Sequence, residues 1–267
     1  MRVVAHVSDP HFGTEDPRVL AGLRDDLEGR TAPRPSLVVL SGDLTQRARV
    51  EQFRASKQFL EGLRSPYLVV PGNHDVPLYN VFRRFLAPLD RYRAGVTDDL
   101  APHYQDDEIA VVGLATAHGF TLKSGKLSSD QLLAATTALA TATTQWKIVV
   151  AHHPFVGPNV AKDDLVEDAA TALAAFRDAG VNVILTGHLH ISFSDDAAMR
   201  DDARRIVSVH AGTCTSTRTR GEPNNYNRIT FDGDEITVLV RVWDGHAFVD
   251  GDSKAYRRGG PQLEKLP

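Results

Sequence analysis

The segment Leu68-Val69-Val70-Pro71-Gly72-Asn73-His74-Asp75 guides the interpretation of the whole chain. A short apolar run stops at Pro71-Gly72, and three polar side chains of different chemistry follow it directly. Asn73 offers a neutral carbonyl oxygen, His74 can bind or release a proton near neutral pH, and Asp75 can orient an imidazole. Because such a tetrapeptide is also ordinary turn chemistry, its meaning depends on how the other strands end.

Length and composition are those of an ordinary folded protein. The chain has 267 residues, of which 42% are hydrophobic and 24% charged, enough for one large α/β domain or two small ones. The net charge of -4 gives no electrostatic case for non-specific nucleic-acid binding. Since Cys214 is the single cysteine, an internal disulfide and an all-cysteine metal site are both excluded.

The apolar runs are short. The first, at 3–7, is interrupted by His6 and followed closely by Asp9, so it is too short and too polar for a signal peptide. No later run reaches the ~20 residues of a membrane span. We therefore expect a cytoplasmic protein that has no membrane partner.

The first quarter of the chain repeats a buried strand, a polar turn and a helix. Runs rich in β-branched residues predict strands at 2–8, 37–40 and 67–70, and apolar residues at helical spacing predict helices at about 17–29 and 47–62. This alternation favours a mainly parallel sheet covered by helices. We expect one irregular helix at 77–90, a single domain over residues 1–250, and a loose polar tail over 251–267.

Asp, Asn and His side chains follow the ends of the predicted strands, where ligand-binding sites form in open α/β sheets. The chain contains an Asp-x-His pair and a His-x-His pair, and in extended backbone the members of each pair would point the same way. Three carboxylate or amide groups and four or five imidazoles are more than one metal ion needs and about right for two. A bridging role suits Asp43, and the mixed nitrogen and oxygen set suits Mn, Fe, Zn or Co. The strand-end residues are Asp9, His11, Asp43, Asn73, His74, Asp75, His152, His153, His188 and His190.

Over about residues 3–213 the chain resembles the calcineurin-like metallophosphoesterases, and most of all the bacterial cyclic-nucleotide phosphodiesterases and glycerophosphodiesterases of that superfamily. The order, spacing and strand-end context of the motifs all agree. The resemblance implies an α/β fold, a four-layer αββα sandwich of two facing mixed β-sheets flanked by helices. The motifs are Asp9-Pro10-His11, Gly42-Asp43, Gly72-Asn73-His74-Asp75, His152-x-Pro154 and Gly187-His188-Leu189-His190.

The resemblance also implies two divalent metal ions and a role for each motif residue. His74 would be the unligated histidine beside the phosphate, with Asp75 as its orienting partner. A water between the two ions would become a hydroxide that attacks phosphorus in line, while His74 gives a hydrogen bond or a proton to the leaving oxygen. The ligands would be Asp9, His11, Asp43 and His190 for one ion, and Asp43, Asn73, His152 and His188 for the other.

The expected activity is hydrolysis of a small phosphodiester of the cyclic-nucleotide or glycerophosphodiester type. A phosphomonoesterase or a pyrophosphatase of the same superfamily is the alternative. The net negative charge of the chain argues against a nuclease. A non-catalytic interaction module would be expected to lack some of the metal-ligand residues, whereas none is missing from these motifs. A homodimer is a further expectation.

Substrate selection is expected outside the metal ligands, in the segments 77–101 and 212–227. The second segment contains Arg218 and Arg220, together with three asparagines suited to gripping a phosphate or hydroxyl groups. His153 and His210 follow or end predicted strands on the same side of the sheet. The candidate substrate contacts are therefore His153, His210, Arg218 and Arg220.

Overall fold

Two mixed β-sheets organise the chain. The computed structural model describes residues 1–120, 123–157, 161–196, 206–259 and 262–266. In chain order the strands are β1 (Arg2–Val7), β2 (Leu37–Leu40), β3 (Tyr67–Val69), β4 (His103–Gln105), β5 (Ile109–Leu114), β6 (Trp146–Ala151), β7 (Val183–Thr186), β8 (Phe193–Asp196), β9 (Val207–His210), β10 (Asn225–Asp232), β11 (Glu235–Trp243), β12 (Phe248–Gly259) and β13 (Gln262–Lys265).

Helices connect the strands and cover the outer faces of the sheets. Several begin with a capping side chain, as α1 does with Asp16 and α5 with Ser128. Two short 3₁₀ turns, Asn73–Asp75 and Lys162–Asp164, lie in loops. The helices are α1 (Pro17–Leu27), α2 (Val50–Glu61), α3 (Val81–Leu86), α4 (Asp90–Gly95), α5 (Ser129–Thr141) and α6 (Ala169–Asp178).

The strand order confirms the predicted four-layer sandwich of two mixed sheets. The first sheet runs β13-β12-β11-β10-β1-β2-β3, in which β1, β2 and β3 are parallel and the other pairs antiparallel. The second runs β4-β5-β6-β7-β9-β8, with antiparallel strands only at its two edges. Right-handed helical crossovers are the usual way to join such parallel strands.

The core explains why the central strands are almost entirely apolar. Val4 of β1 packs in the cluster between the two sheets, with Trp146 and Ile148 of β6. The next residue, Ala5, packs on the opposite face of the first sheet, against Leu23 and other residues of the helices. Because both faces of each central strand are covered, nearly all successive residues are apolar, and the exception in β1, the buried His6, has its Nε2 2.9 Å from Ser41 Oγ.

Two expectations about the chain need correction. The predicted helix at 77–90 is divided into α3 and α4, because Pro88 disfavours helical backbone at the preceding Ala87, which has φ -151° and ψ 63°. The predicted loose tail at 251–267 is wrong for 251–259, which continue β12, and for 262–265, which form β13. Tyr256 is buried in the inter-sheet core, so this polar stretch is an amphipathic strand; residues 260, 261 and 267 lie outside the described ones.

The described part of the chain contains no helix that is both long enough and apolar enough to cross a lipid bilayer.

Candidate metal centre

The candidate ligands lie at the carboxyl ends of parallel strands, on loops with unusual backbone. Five of the seven non-glycine residues that have positive φ among the described ones are candidate ligands. The expectation of extended backbone in the Asp-x-His and His-x-His pairs is therefore wrong. Left-handed backbone costs an ordinary residue about 1 kcal/mol or more, and it concentrates at functional sites. These residues are Asp9 (φ 51°), His11 (48°), Asp43 (51°), His188 (71°) and His190 (60°).

The first cluster consists of Asp9, His11, Asp43 and His190, all buried. Asp9 Oδ1 lies 3.5 Å from His11 Nε2 and 3.3 Å from His190 Nε2, and the two Nε2 atoms are 3.3 Å apart. Ligand atoms bound ~2.1 Å from one metal ion lie roughly 3.0–3.4 Å from one another. The spacing of these three atoms therefore fits a shared ion.

Unpartnered polar atoms support the same interpretation. Asp9 Oδ1 is buried and has no hydrogen-bond partner, although its other oxygen accepts hydrogen bonds from Ser8 Oγ and His188 N. Leaving a buried carboxylate oxygen unpaired is costly, and two facing imidazole nitrogens cannot satisfy each other when both carry lone pairs. A cation between them would satisfy all three atoms, so the residues present fit a metal ion.

The second cluster consists of His152, His153 and His188, and Asn73 joins it. Asn73 Oδ1 lies 3.0 Å from His152 Nε2 and 3.1 Å from His188 Nδ1. On the far side, His188 Nε2 lies 3.5 Å from Asp164 Oδ1. His153 Nδ1 contacts Thr116 Oγ1 at 2.8 Å, and its buried Nε2 has no partner.

Asp43 lies between the two clusters. Its Oδ2 is 3.7 Å from His11 Nε2, and its Oδ1 is 3.3 Å from His152 Nε2. Burial raises the pKa of Asp43, but the neighbouring His152, His74 and His11 together hold it well below its usual value. Burial lowers the pKa of His152, yet the carboxylates of Asp43 and Asp9 and the Ser41 carbonyl together raise it to about 9. A proton thus joins this pair at neutral pH, and a metal ion would displace it.

Hydrogen bonds outside the clusters fix the histidine tautomers. His152 Nδ1 lies 2.8 Å from the Ser41 carbonyl oxygen, which can only accept, so Nδ1 carries the proton and Nε2 faces Asn73. His190 Nδ1 contacts Thr213 Oγ1 at 2.6 Å, which likewise leaves Nε2 for the first cluster. Such second contacts set both the ring orientation and the basicity of a metal-binding histidine.

His74 lines the cleft beside the clusters, but it is not oriented as expected. Its Nδ1 lies 2.9 Å from the Gln46 carbonyl oxygen and 3.3 Å from Arg47 NH1, and burial lowers its pKa below the ordinary value. The expectation that Asp75 orients the His74 imidazole is wrong. Asp75 instead accepts hydrogen bonds from the backbone N–H groups of Leu44, Thr45 and Gly72 and from the Thr45 hydroxyl.

Two motif glycines are required by close approach. A Cβ at Gly72 would collide with the Asp43 carboxylate, and one at Gly187 would collide with Ser8 Oγ. The backbone of each loop can therefore come next to a carboxylate only if the residue has no side chain. These glycines hold the loops against the clusters.

The clusters open into a cleft of about 340 Å³. Cationic side chains surround it: Arg47, Arg84, Lys123 and Arg220 all contribute to its wall, with Asp164 as an acidic neighbour. Arg220 is in the cleft wall, and its contact with the substrate stays a prediction. Arg218 is exposed and does not line the cleft, although its carbonyl oxygen lies 3.3 Å from His190 Nδ1.

Two predicted substrate contacts do not reach the cleft surface. His210 has no exposed area, its two nitrogens contact the hydroxyls of Thr186 and Ser208, and its ring stacks on Phe193. Burial lowers its pKa to about 3, so it is a neutral core group. His153 also has no exposed area and belongs to the second cluster.

The expectation that the three asparagines bind a phosphate or hydroxyl groups of the substrate is also wrong, because all three side chains form hydrogen bonds with the protein's own backbone. Asn224 donates to the carbonyls of Thr213 and Ser216, Asn225 accepts from Gly212 N, and Asn227 donates to the His210 carbonyl. They stabilise the loop that carries Thr213 beside His190.

Sequence reasoning missed several residues of the site. Gln46 and Arg47 directly follow the Asp43 motif, so their position offered a signal. Asp164 and Lys123 have no motif around them and reach the site only through the fold. Arg84 and Thr213 lie in the segments 77–101 and 212–227 that were expected to select the substrate, although neither residue was singled out.

Comparisons with known proteins agree with this geometry. The family model of the calcineurin-like phosphoesterases matches residues 2–192, and the chain belongs to that family. A glycerophosphodiester phosphodiesterase GpdQ of Enterobacter lignolyticus is 38% identical over 96 residues, covering 33% of this chain and 34% of that protein. A probable cyclic nucleotide phosphodiesterase of Vesicomyosocius okutanii is 24% identical over 157 residues, covering 58% and 62%. Each match thus spans less than two thirds of the relative's length.

A solved structure shows the same fold. The structure of PhoD superposes with a TM-score of 0.75 and 14% identity, covering all of this chain and 71% of PhoD. At this identity the likeness concerns the fold alone.

Proposed function

We propose that the protein is a phosphodiesterase that uses two divalent metal ions bridged by Asp43. The two oxygens of Asp43 approach different histidines, His11 in the first cluster and His152 in the second, and this observation carries the proposal. The first ion would be held by Asp9, His11, Asp43 and His190, and the second by Asp43, Asn73, His152 and His188. The nitrogen and oxygen set suits Mn, Fe, Zn or Co.

When bound, such ions activate a water and screen the charge of the phosphoryl group. The protein's own side chains transfer the proton and orient the substrate. Because His74 Nδ1 is hydrogen-bonded to the Gln46 carbonyl, Nε2 is the atom that exchanges a proton with the substrate. Arg220 and Lys123 lie where they can pair with free phosphoryl oxygens. Water adds its oxygen to phosphorus, one P–O ester bond breaks, and the leaving oxygen takes up a proton. A glycerophosphodiester gives an alcohol and a phosphomonoester, whereas a cyclic nucleotide opens to a single molecule that carries both groups.

The relatives' names support a small phosphodiester, either a glycerophosphodiester or a cyclic nucleotide, as the substrate class. A cleft of about 340 Å³ suits a molecule of that size.

The proposal is tested by assaying metal-stripped and Mn²⁺-reconstituted protein on a glycerophosphodiester, a cyclic nucleotide and p-nitrophenyl phosphate. We expect two bound ions per chain and activity on a diester that requires the metal. Full activity in stripped protein with chelator present would refute the proposal, and activity confined to the monoester would replace it with a phosphomonoesterase.

The role of His74 is tested by His74→Ala. His74 Nδ1 faces Gln46 and Arg47, and the His74 ring packs edge-to-face on the His11 ring, with centroids 4.8 Å apart. The variant should therefore keep two ions, while kcat falls by roughly 10²–10⁴-fold, the usual range for a lost acid or base. His246→Ala is the matched control, since His246 is an exposed histidine in the turn between β11 and β12. A loss of metal from the His74 variant would instead make His74 a ligand.

A further inference from the structure

Arg47 places a positive charge beside His74. It lies on the loop that follows Asp43, is half-buried, and lines the same cleft as His74. Its NH1 lies 3.2 Å from the Gln46 carbonyl oxygen and 3.3 Å from His74 Nδ1. The His74 ring in turn packs on the His11 ring, with centroids 4.8 Å apart. The guanidinium of Arg47 is therefore separated from the first cluster by a single imidazole ring.

The backbone around Arg47 is held by hydrogen bonds. Arg47 N donates to Gln52 Oε1 at 2.9 Å. The next residue, Ala48, has φ 50°, a left-handed conformation that is uncommon for a residue with a side chain. Ala48 N donates to Thr45 Oγ1 at 3.0 Å, and the Ala48 carbonyl accepts from Arg91 NH1 at 2.9 Å. Because the loop is fixed before a ligand arrives, less conformational entropy is lost when Arg47 binds one.

Several hydrogen-bond donors of Arg47 remain for a ligand. The Gln46 carbonyl accepts from His74 Nδ1, at 2.9 Å, and from Arg47 NH1, and its two lone pairs allow both bonds. A guanidinium has more N–H donors than these contacts use, and that of Arg47 forms no ion pair with a carboxylate among the residues that the structure describes. Since Arg47 lines the cleft, its unused donors can reach a molecule bound there.

The chemistry of a phosphoryl group fits this position. Arginine binds phosphate oxygens through parallel N–H···O bonds and stays charged throughout the physiological pH range. Charge on the phosphoryl oxygens must be compensated while the ester bond breaks, and a cation that is already in place stabilises it without reorganisation. Because Arg47 flanks the ring of His74, a phosphoryl group bound at His74 Nε2 is close to both side chains.

We propose that Arg47 is a further catalytic residue, which donates hydrogen bonds to a phosphoryl oxygen of the substrate beside His74. This inference rests on the proposed phosphodiesterase function and names a residue that compensates the phosphoryl charge. Arg47 forms no covalent bond and keeps its protons, so the balance of hydrolysis is unchanged. Water adds to phosphorus, one P–O ester bond breaks, and the leaving oxygen takes up a proton.

Replacing the guanidinium tests this role. On the diester that the wild type hydrolyses, Arg47→Ala should lower kcat/KM by roughly 10²-fold, as removal of one charge-stabilising donor does. Inorganic phosphate, used as a competitive inhibitor of the Mn²⁺-loaded protein, should bind the variant roughly 10- to 100-fold more weakly, because a charged hydrogen bond is lost. The variant should keep two metal ions, since the Arg47 guanidinium contacts Gln46 and His74 and none of the proposed ligands among the described residues.

Chemical rescue separates contact with the substrate from a structural role. Guanidinium ion added to Arg47→Ala should restore part of the lost kcat/KM, because it can occupy the place of the missing group, whereas it should not restore His74→Ala. Arg47→Lys keeps the charge without the planar fork, so its kcat/KM should lie between those of the wild type and Arg47→Ala.

Arg49→Ala is the matched control, because Arg49 ends the same loop, its side chain is 63% exposed, and it lies outside the cleft lining. Its kcat/KM and its affinity for phosphate should equal those of the wild type. Unchanged kcat/KM in Arg47→Ala overturns the inference and leaves the phosphodiesterase standing. A lower kcat with unchanged phosphate affinity and no rescue also overturns it, and would show that Arg47 acts only by holding the loop of Gln46. No hydrolysis of any diester by the Mn²⁺-loaded wild type, with activity on p-nitrophenyl phosphate, refutes the proposed function itself.

Discussion

Two buried carboxylates, Asp26 and Asp9, meet the same physical problem in different ways. Neither side chain has exposed area. Asp26 accepts hydrogen bonds on both oxygens, from Tyr226 at 2.6 Å, Thr31 at 2.5 Å and the Arg241 fork at 3.0 and 3.1 Å. Asp9 has hydrogen bonds on Oδ2 alone, and Oδ1 has no hydrogen-bond partner.

The difference separates a structural cluster from a functional one. A buried charge must be compensated, and Arg241 compensates Asp26 from within the chain. Asp9 is paired instead with the imidazoles of His11 and His190, whose Nε2 atoms face one another, and a bound cation would complete the compensation of its charge. The first arrangement stabilises the protein whether or not ligands are present, whereas the second acquires its stability when a cation binds.

The largest effect is expected from Asp43→Ala. Losing one electrostatic stabilising group costs an enzyme about 10²–10³-fold in kcat, and this change removes a carboxylate that faces both clusters, so kcat should fall at least ~10³-fold. Metal analysis should show fewer than two ions per chain. A variant that keeps both ions would show that Asp43 is not the bridge.

The next effect is expected from Asp26→Ala, measured as the free energy of unfolding in urea. The change removes Asp26 from Arg241, a residue of which only 7% is exposed, and leaves Asp250 and the Phe248 carbonyl as its partners. Breaking a buried pair costs about 3–5 kcal/mol, and the remaining pair with Asp250 should keep the loss at the lower end of that range. The folded fraction should still bind metal as the wild type does. If Asp26→Ala lost metal and kept the wild-type free energy of unfolding, the distinction between the structural surroundings of Asp26 and the functional surroundings of Asp9 would be wrong.

The fold was predictable where local pattern and burial agree. Strands β1, β2 and β3 are covered on both faces, so their residues are mostly apolar and the strands are easy to find; His6 is the one polar residue within the run at 3–7. Strand β12 was missed because its polar run hides the buried Tyr256. The division between α3 and α4 depends on one residue, Pro88, inside an otherwise helical pattern.

The site was predictable in its membership and less so in its contacts. Parallel strands of one sheet end at the same edge, so their terminal Asp, Asn and His residues could be collected from the sequence, although their binding of metal stays a prediction. The partners of these residues could not be found, since they are long-range pairings between loops. Asp75 bonds Thr45, 30 residues away, and Thr213 contacts His190 from 23 residues away.

The smallest effect is expected from Thr213→Val, which preserves shape and removes the hydroxyl that holds His190 Nδ1. Loss of such an orienting partner typically weakens metal affinity 10- to 100-fold. The Arg218 carbonyl, 3.3 Å from the same nitrogen, remains as a weaker acceptor, so we expect metal affinity to fall about 10-fold, measured by chelator competition.

Thr144→Val is the control. Thr144 is a buried threonine just before β6, and its hydroxyl donates to the carbonyl of Trp146, at the end of the strand opposite His152. It should lower stability by about 1 kcal/mol and leave metal affinity unchanged. Equal metal affinity in both variants would show that the backbone loop alone orients His190.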